Sequence, residues 1–204
     1  FDLYGIGGGG DILPGTDLVM SVGGDGTFLS ASQCVGKSGI PILGVNLGRL
    51  GFLSEYSPEE AGEALLSGGW YLEDRELLDT KVSGDVPDNG QRFWPYTLNE
   101  VSVHRSGAAL LGIDVTIDGH PLPTYWADGL LVATSSGSTA YSLSVGGPIC
   151  APEAKVLIIA PIAPHNLNAR PLVVPDTTRI TVSMRSRDDG VMLSMDNRNH
   201  LIQP

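Results

Sequence analysis

Apolar residues in the first third of the chain form short runs that alternate with segments of helical pattern. The runs "DLVMSV" and "IPILGVN" each lead into a glycine-rich loop, and "TFLSASQCVG" and "SPEEAGEALLSGGW" lie between and after them. This alternation is typical of βαβ units with a parallel sheet. Ser57, Pro58 and Glu60 have the spacing of a capping box, which predicts a helix beginning at Pro58.

From Tyr71 onward the helical pattern nearly disappears. Short runs rich in Val, Ile, Thr and Tyr alternate with turn pairs such as Asp118-Gly119, as expected of strands joined by tight turns. The sequence therefore predicts an α/β N-terminal domain over residues 1–70 and a mostly β C-terminal domain over residues 71–204.

Composition restricts the class of partner. The chain has 204 residues, of which 42% are hydrophobic, and a formal net charge of -11 without a cluster of Lys or Arg. A phosphate-backbone partner such as DNA or RNA is therefore not expected. No apolar run reaches the roughly 20 residues that span a bilayer, so we expect no membrane partner, a cytoplasmic location and a small-molecule ligand.

Three other features carry little functional information. "GIGGGGD" satisfies G-x-G-x-x-G, but without a preceding strand or a following helix it is interpreted as a loop, as is "SGDVPDNGQ". His165, in a polar turn, is either a packing residue or a ligand contact.

The motif "GGDGT" joins a predicted strand to a predicted helix that starts near Thr27. Glycines allow a ligand to approach the backbone, and the N–H groups of a helix N-terminus favour anions, so Gly23, Gly24, Gly26 and Thr27 predict a phosphate loop. A carboxylate beside a phosphate is electrostatically unfavourable, so a functional role is expected for it. Asp25 could take a proton from an attacking hydroxyl, hold a divalent cation, or simply favour the helix N-terminus.

Two later segments have the composition of a ligand pocket. Asn99 and Glu100 end the apolar run before "VSVHR" and suit hydrogen bonding to a ribose or a base edge. The segment from Tyr125 to Ile149 combines glycines, small hydroxyl residues and one aspartate, and it is too polar for a simple core.

Through these segments the chain resembles the NAD kinases, which use ATP to phosphorylate the 2′-hydroxyl of the adenosine ribose of NAD. The matching pieces occur in the family's order: "GGDGT", "GVNLGRLGFL", "LNEV", "DGLLVATSSGSTAYSLSVGGPI" and "IAPIAPHNLNARPLVVPD". "GGDGT" is shared with lipid kinases of the diacylglycerol kinase type, whereas the long fourth piece is highly specific.

The resemblance implies an α/β domain followed by a domain of stacked β-sheets, NAD and ATP as substrates, and a divalent cation, expected to be Mg²⁺. It implies a catalytic role for Asp25. Replacement of Asp25 by Asn should therefore lower the rate by at least about two orders of magnitude while NAD binding survives. The positions that match the family's NAD-binding residues are Asp25, Gly26, Phe52, Asn99, Glu100, Asp128, Thr139, Ala140, Tyr141, Ser142, Leu143, Ser144 and Ala163.

The resemblance also implies a homodimer or homotetramer, with Asp128 and Ala163 as candidates for residues lent to a neighbouring subunit. Trp126 stands where many members have arginine, which leaves the choice between NAD and NADH open, and both chain ends are expected to be incomplete. Two other functions are considered: a non-catalytic dinucleotide sensor and, with less support, a lipid kinase.

Overall fold

The computed structural model describes residues 12–48, 51–83 and 93–203. The chain separates into two compact units, Phe1–Asp74 and Arg75–Pro204. The domain boundary at residue 70 stays a prediction. The loops predicted at "GIGGGGD" and "SGDVPDNGQ" lie, apart from Ser83, outside the described residues.

The first unit has the predicted βαβ pattern. It contains, in order, β1 (Val19–Val22), α1 (Asp25–Val35), β2 (Ile42–Val45) and α2 (Pro58–Ser67). Strands β1 and β2 pair in parallel, as a strand-helix-strand connection requires.

The helix predicted to begin at Pro58 is confirmed, and so is its capping box. The Ser57 hydroxyl accepts the Glu60 N–H at 3.3 Å, and the Glu60 carboxylate accepts the Ser57 N–H at 2.9 Å. Helix α1 begins at Asp25, two residues before the predicted start at Thr27. Asp25 therefore belongs to the first turn of the helix.

The second unit is mostly β, as predicted. Its strands are β3 (Leu78–Asp79), β4 (Tyr96–Thr97), β5 (Glu100–Arg105), β6 (Leu111–Ile117), β7 (His120–Pro121), β8 (Tyr125–Ala127), β9 (Gly129–Thr134), β10 (Val156–Ile162), β11 (Leu172–Pro175), β12 (Ile180–Arg185), β13 (Val191–Met195) and β14 (Arg198–Ile202). A 3₁₀ turn (Ser136–Thr139) and a short helix α3 (Tyr141–Ser144) follow β9.

These strands form a six-stranded antiparallel sheet in the order β11-β10-β9-β5-β13-β14 and a four-stranded sheet in which β6 pairs with β12, β7 and β8. The predicted turn at Asp118-Gly119 joins β6 to β7, and both residues have positive φ (49° and 84°), as in the tight turns that suit hairpins.

The two sheets stack over an apolar core, which explains the near-continuous apolar runs of the central strands. Leu111 and Ile113 of the smaller sheet pack with Leu130 and Ile159 of the larger one, and all four are fully buried. Alternate residues of β9 and β10 form a second cluster on the opposite face. The central sheet is thus covered on both faces, and its strands need apolar residues at successive positions.

Within the described residues, no helix combines the length and the apolar character that crossing a bilayer demands.

Candidate functional site

Asp25 holds a loop of its own unit. Its carboxylate accepts the N–H groups of Phe52 (3.0 Å), Leu53 (3.0 Å) and Ser54 (3.1 Å). A Cβ at Gly51 would collide with the same carboxylate, so this close approach requires glycine there. The first turn of α1 and the loop after β2 are therefore joined through one side chain.

Within the described residues, this arrangement leaves the Asp25 carboxylate one hydrogen-bonding position without a partner. An ionised carboxylate has about four acceptor sites. Leu53 and Ser54 both donate to Oδ1, and Phe52 donates to Oδ2. One lone pair of Oδ2 remains for a ligand hydroxyl or a cation, and the three amides fix its direction.

The glycines around Asp25 differ in their structural need. A Cβ at Gly23 would collide with the side chain of Thr27, so the turn itself requires glycine there. No described atom lies within 4 Å of a Cβ placed at Gly24 or Gly26. The described structure thus places no atom close to these two glycines on the side where a Cβ would lie. They adjoin helix N–H groups that have no partner within the helix.

The loop held by Asp25 is also fixed by Asn46, which follows β2. The buried Asn46 donates from Nδ2 to the Ser54 carbonyl at 2.9 Å and accepts the Gly48 N–H at 2.7 Å. Phe52, by contrast, leaves 61% of its side chain exposed. A fixed loop therefore carries an exposed aromatic side chain on a residue whose backbone N–H contacts Asp25.

In the second unit, Asn99 lies in the bend between β4 and β5, and Glu100 is the first residue of β5. The carboxylate of Asp196, in the turn between β13 and β14, accepts the N–H groups of Leu98 (3.0 Å), Asn99 (2.9 Å) and Glu100 (3.3 Å). In return, the Asp196 N–H donates to the Glu100 carbonyl at 3.0 Å. The bend is therefore held from the opposite hairpin.

The side chains of Asn99 and Glu100 carry buried polar atoms without partners. Among the described residues, Asn99 Oδ1 and Glu100 Oε2 accept no hydrogen bond although water does not reach them. Buried polar groups of this kind are uncommon in folded proteins. A bound ligand with hydrogen-bond donors would satisfy both atoms.

Burial and, second, the negative charge of Asp196 together raise the pKa of Glu100 to about 7, while the backbone N–H of Tyr141 acts in the opposite direction. Near neutral pH, Glu100 is thus close to half protonated. It can either accept or donate a hydrogen bond there.

The 3₁₀ turn and α3 pack against the same bend. Thr134, at the end of β9, donates from its hydroxyl to the Leu98 carbonyl at 2.5 Å and accepts the Gly137 N–H at 3.1 Å. A Cβ at Gly137 would collide with the backbone of Asn99. The glycine of "SSGST" is therefore needed for the turn to reach Asn99.

Tyr141, the first residue of α3, stacks on His104. The two ring centroids are 5.7 Å apart with an interplanar angle of 15°, and the Ser102 hydroxyl lies 2.8 Å from His104 Nε2. Burial lowers the pKa of His104, because the charged imidazole loses solvation. Strand β5 thus supports the Tyr141 ring with a hydrogen-bonded imidazole.

Asp128 and Ala163 are neighbours. The Asp128 N–H donates to the carbonyl of Ile162 at 3.0 Å, and the Asp128 carboxylate pairs with Arg105 at 2.8 Å. Ala163 has a positive φ of 45°, which is rare for residues other than glycine. Burial raises the pKa of Tyr141, and the negative charges of Glu100 and Asp128 raise it as well. One chain therefore brings Asp128 into the electrostatic environment of Tyr141.

The remaining predicted residues divide by exposure. Thr139 and Ala140 are half-buried, Leu143 and Ser144 are exposed, and Ser142 is buried against Gly147. Ser142 Oγ has no hydrogen-bond partner among the described residues. The contribution of each of these residues to NAD binding stays a prediction.

Sequence reasoning missed Asp196, His104 and Arg105 as parts of the second unit's site. Asp196 had a weak signal, since Asp-Asn is a pair that tolerates positive φ and follows an apolar strand; its φ is 52°. His104 and Arg105 lie on a predicted strand and had no signal of their own.

Family profiles cover both halves of the chain. The ATP-NAD kinase C-terminal domain matches residues 98–203, and the ATP-NAD kinase N-terminal domain matches residues 12–67. The chain belongs to the ATP-NAD kinase family. Because both profiles are of this family, the lipid kinase alternative loses its support.

Individual ATP-NAD kinases agree. An NAD kinase of Bacteroides fragilis is 46% identical over 184 residues, covering 88% of this chain and 62% of the relative. An NAD kinase of Flavobacterium psychrophilum is 43% identical over 192 residues, covering 92% of this chain and 65% of the relative. The chain thus spans less than two thirds of the length of these two relatives.

Solved structures of the family confirm the predicted fold class. Yeast NADH kinase complexed with NADH superposes with a TM-score of 0.75 at 31% identity, covering 93% of this chain and 59% of the other. An NAD kinase from Archaeoglobus fulgidus in complex with ATP gives a TM-score of 0.71 at 28% identity, covering 92% and 74%.

Proposed function

We propose that this protein is an NAD kinase that transfers the γ-phosphate of ATP to the 2′-hydroxyl of the adenosine ribose of NAD, giving NADP. The observation that carries the proposal is the Asp25 carboxylate. Three backbone amides fix it, one lone pair has no partner among the described residues, and glycine backbone lies on either side. Membership of the ATP-NAD kinase family supports the same reaction.

Phosphoryl transfer depends mainly on positioning and on charge stabilisation, because the protein has little covalent chemistry to perform. In our proposal the free lone pair of Asp25 Oδ2 accepts the hydrogen of the ribose 2′-hydroxyl and orients its oxygen for attack on the γ-phosphorus. As the new O–P bond forms and the bond to the ADP oxygen breaks, the hydroxyl proton passes to the carboxylate. The backbone N–H groups of Gly24 and Gly26 are the candidate hydrogen-bond donors to the phosphate groups.

The dinucleotide is proposed to satisfy the unpartnered atoms of the second unit. Asn99 Oδ1 and Glu100 Oε2 require donors, which the amino group of adenine and the ribose hydroxyls supply. The stacked ring of Tyr141 offers an aromatic surface for a base or a ribose. Shape and hydrogen bonding would then select a nucleotide over an apolar substrate.

A divalent cation, expected to be Mg²⁺, would neutralise charge on the ATP phosphates. Among the described residues no group of three or more His, Cys, Asp and Glu side chains could hold a metal ion. Mg²⁺ commonly binds through substrate phosphates, waters and one or two carboxylates. The free lone pair of Asp25 fits such a single contact, in competition with its role toward the hydroxyl.

The decisive experiment supplies the purified protein with NAD, ATP and Mg²⁺ and measures NADP with an NADP-specific coupled dehydrogenase. In a parallel reaction NADH replaces NAD, because a structurally similar protein is an NADH kinase, and the NADPH formed is measured with an NADPH-oxidising enzyme. Production of NADP that stops in Asp25→Asn supports the proposal. Binding of NAD by calorimetry without any turnover would instead favour the dinucleotide sensor.

The assembly and the compartment belong to the proposal as well. We expect a homodimer or homotetramer in the cytoplasm, with ATP as donor. Sedimentation velocity gives the subunit number. Replacing ATP by polyphosphate in the NADP-production assay tests the phosphoryl donor.

A further inference from the structure

We propose that Asp196 is a positioning residue for dinucleotide binding, which acts by holding the backbone of Asn99 and Glu100. The inference rests on the proposed function, because its consequence is measured as affinity for NAD. Asp196 itself is not proposed to contact the ligand.

The geometry shows a backbone segment that depends on one side chain. Leu98 and Asn99 form a bend between two strands, so their N–H groups are outside the regular sheet ladder. Both residues are buried, and a buried N–H without an acceptor is costly. The Asp196 carboxylate supplies the acceptor for both and for Glu100, all within 3.3 Å.

Asp196 is in turn fixed by its hairpin. Its φ is 52°, and its N–H donates to Glu100 O at 3.0 Å. Two residues later, Arg198 donates to the carbonyls of Trp94 (2.6 Å) and Tyr96 (2.7 Å), which lie just before the bend. The hairpin of β13 and β14 therefore holds the backbone before Asn99 as well as Asn99 itself.

This support has a functional meaning because of what the bend carries. Asn99 Oδ1 and Glu100 Oε2 are buried and unpartnered among the described residues, and the backbone that carries them is held before a ligand arrives. Pre-organised groups lose less conformational entropy on binding. Loosening the bend should therefore weaken NAD binding without changing any group that touches NAD.

Asp196 also acts on Glu100 through charge. The groups that face this pair are Tyr141, whose N–H donates to Glu100, Asp128, whose charge reaches Tyr141, and Arg198, whose charge favours ionised Asp196. Removing the charge of Asp196 should lower the pKa of Glu100, because a negative neighbour is lost.

The test compares Asp196→Asn with Asp118→Asn in the intact protein. Asp118 is a matched control: its φ is 49°, its carboxylate accepts the Arg179 N–H at 2.8 Å, and its own N–H donates to Arg179 O at 2.9 Å. Asparagine tolerates positive φ, so neither change strains the turn. Both variants lose one negative charge, but Asp118 holds no predicted site residue.

Three readouts are measured for wild type and both variants: amide hydrogen exchange at residues 98–100 without ligand, the Kd for NAD by calorimetry, and the pH dependence of that Kd. In Asp196→Asn we expect faster exchange at these amides and a Kd raised about tenfold, which corresponds to about 1.4 kcal/mol. The midpoint of the pH profile should move to lower pH. In Asp118→Asn all three should stay at wild-type values.

Unchanged exchange at residues 98–100 in Asp196→Asn, or a Kd and a pH midpoint equal to those of Asp118→Asn, would overturn the proposal. If Asp196→Asn does not fold, wild-type exchange decides: amides 98–100 that exchange as fast as exposed loop amides would contradict the contact. Failure of the wild type to bind NAD would refute the proposed function instead, and the exchange data would still judge the contact.

Discussion

Asp25→Asn should damage both the chemistry and the loop that carries Phe52. An asparagine oxygen in place of Oδ1 keeps the bonds from Leu53 and Ser54, but the side-chain NH₂ then faces the Phe52 N–H, donor against donor. Losing one bond to a charged acceptor and weakening two others amounts to about 3 to 4 kcal/mol. Loss of the proton acceptor should lower kcat by at least about two orders of magnitude.

Gly51→Ala separates the two effects. The added Cβ collides with the Asp25 carboxylate, so the contact is disturbed while the carboxylate stays in the protein. We expect a higher KM for NAD, because Phe52 moves, and a smaller fall in kcat than in Asp25→Asn. Gly62→Ala is the control: no described atom lies within 4 Å of a Cβ there, and alanine favours a helix interior by about 1 kcal/mol.

The assay combines steady-state NADP production at varied NAD and ATP with thermal unfolding and amide exchange at residues 52–54. Wild-type kcat in Asp25→Asn would refute the catalytic role. Unchanged amide exchange at Phe52 in the same variant would refute the energetic estimate. If Gly51→Ala behaves like Gly62→Ala in KM, the loop does not take part in NAD binding.

Three further outcomes are expected. Asn99→Ala and Glu100→Ala should each raise the KM for NAD much more than that for ATP, and unchanged NAD affinity in calorimetry would make the pair structural. Because the pKa of Glu100 is raised from 4.5 to about 7, the free energy of unfolding should fall as pH rises across that interval; Glu100→Gln should remove this fall in pH-dependent denaturation, and a persisting slope would assign it to another group. Mixing Asp25→Asn with Asp128→Asn subunits should restore partial activity if sites are shared, whereas no recovery after confirmed exchange means that each site uses one chain.

The local features of this protein could be predicted from the sequence because they depend on residues close together in the chain. The capping box at Ser57, the turn at Asp118-Gly119 and the alternation of strands and helices follow from spacing and backbone preference over a few residues. The "GGDGT" loop and the long polar segment around Tyr141 were specific enough to indicate the family. Only the start of α1 was misplaced, by two residues, because no side-chain cap marks it.

The interactions that orient the candidate groups depend on tertiary structure. Asp25 meets residues 27 to 29 positions away, and Asp196 meets residues 96 to 98 positions away. No local pattern specifies which backbone amides a carboxylate will receive, because that depends on how distant elements pack. For the same reason the raised pKa of Glu100 could not be read from the sequence, since it arises from burial and from a second carboxylate that folding brings beside it. The sequence alone indicated which residues are candidates for the chemistry, whereas the tertiary structure decided which of their atoms are held and which have no partner among the described residues.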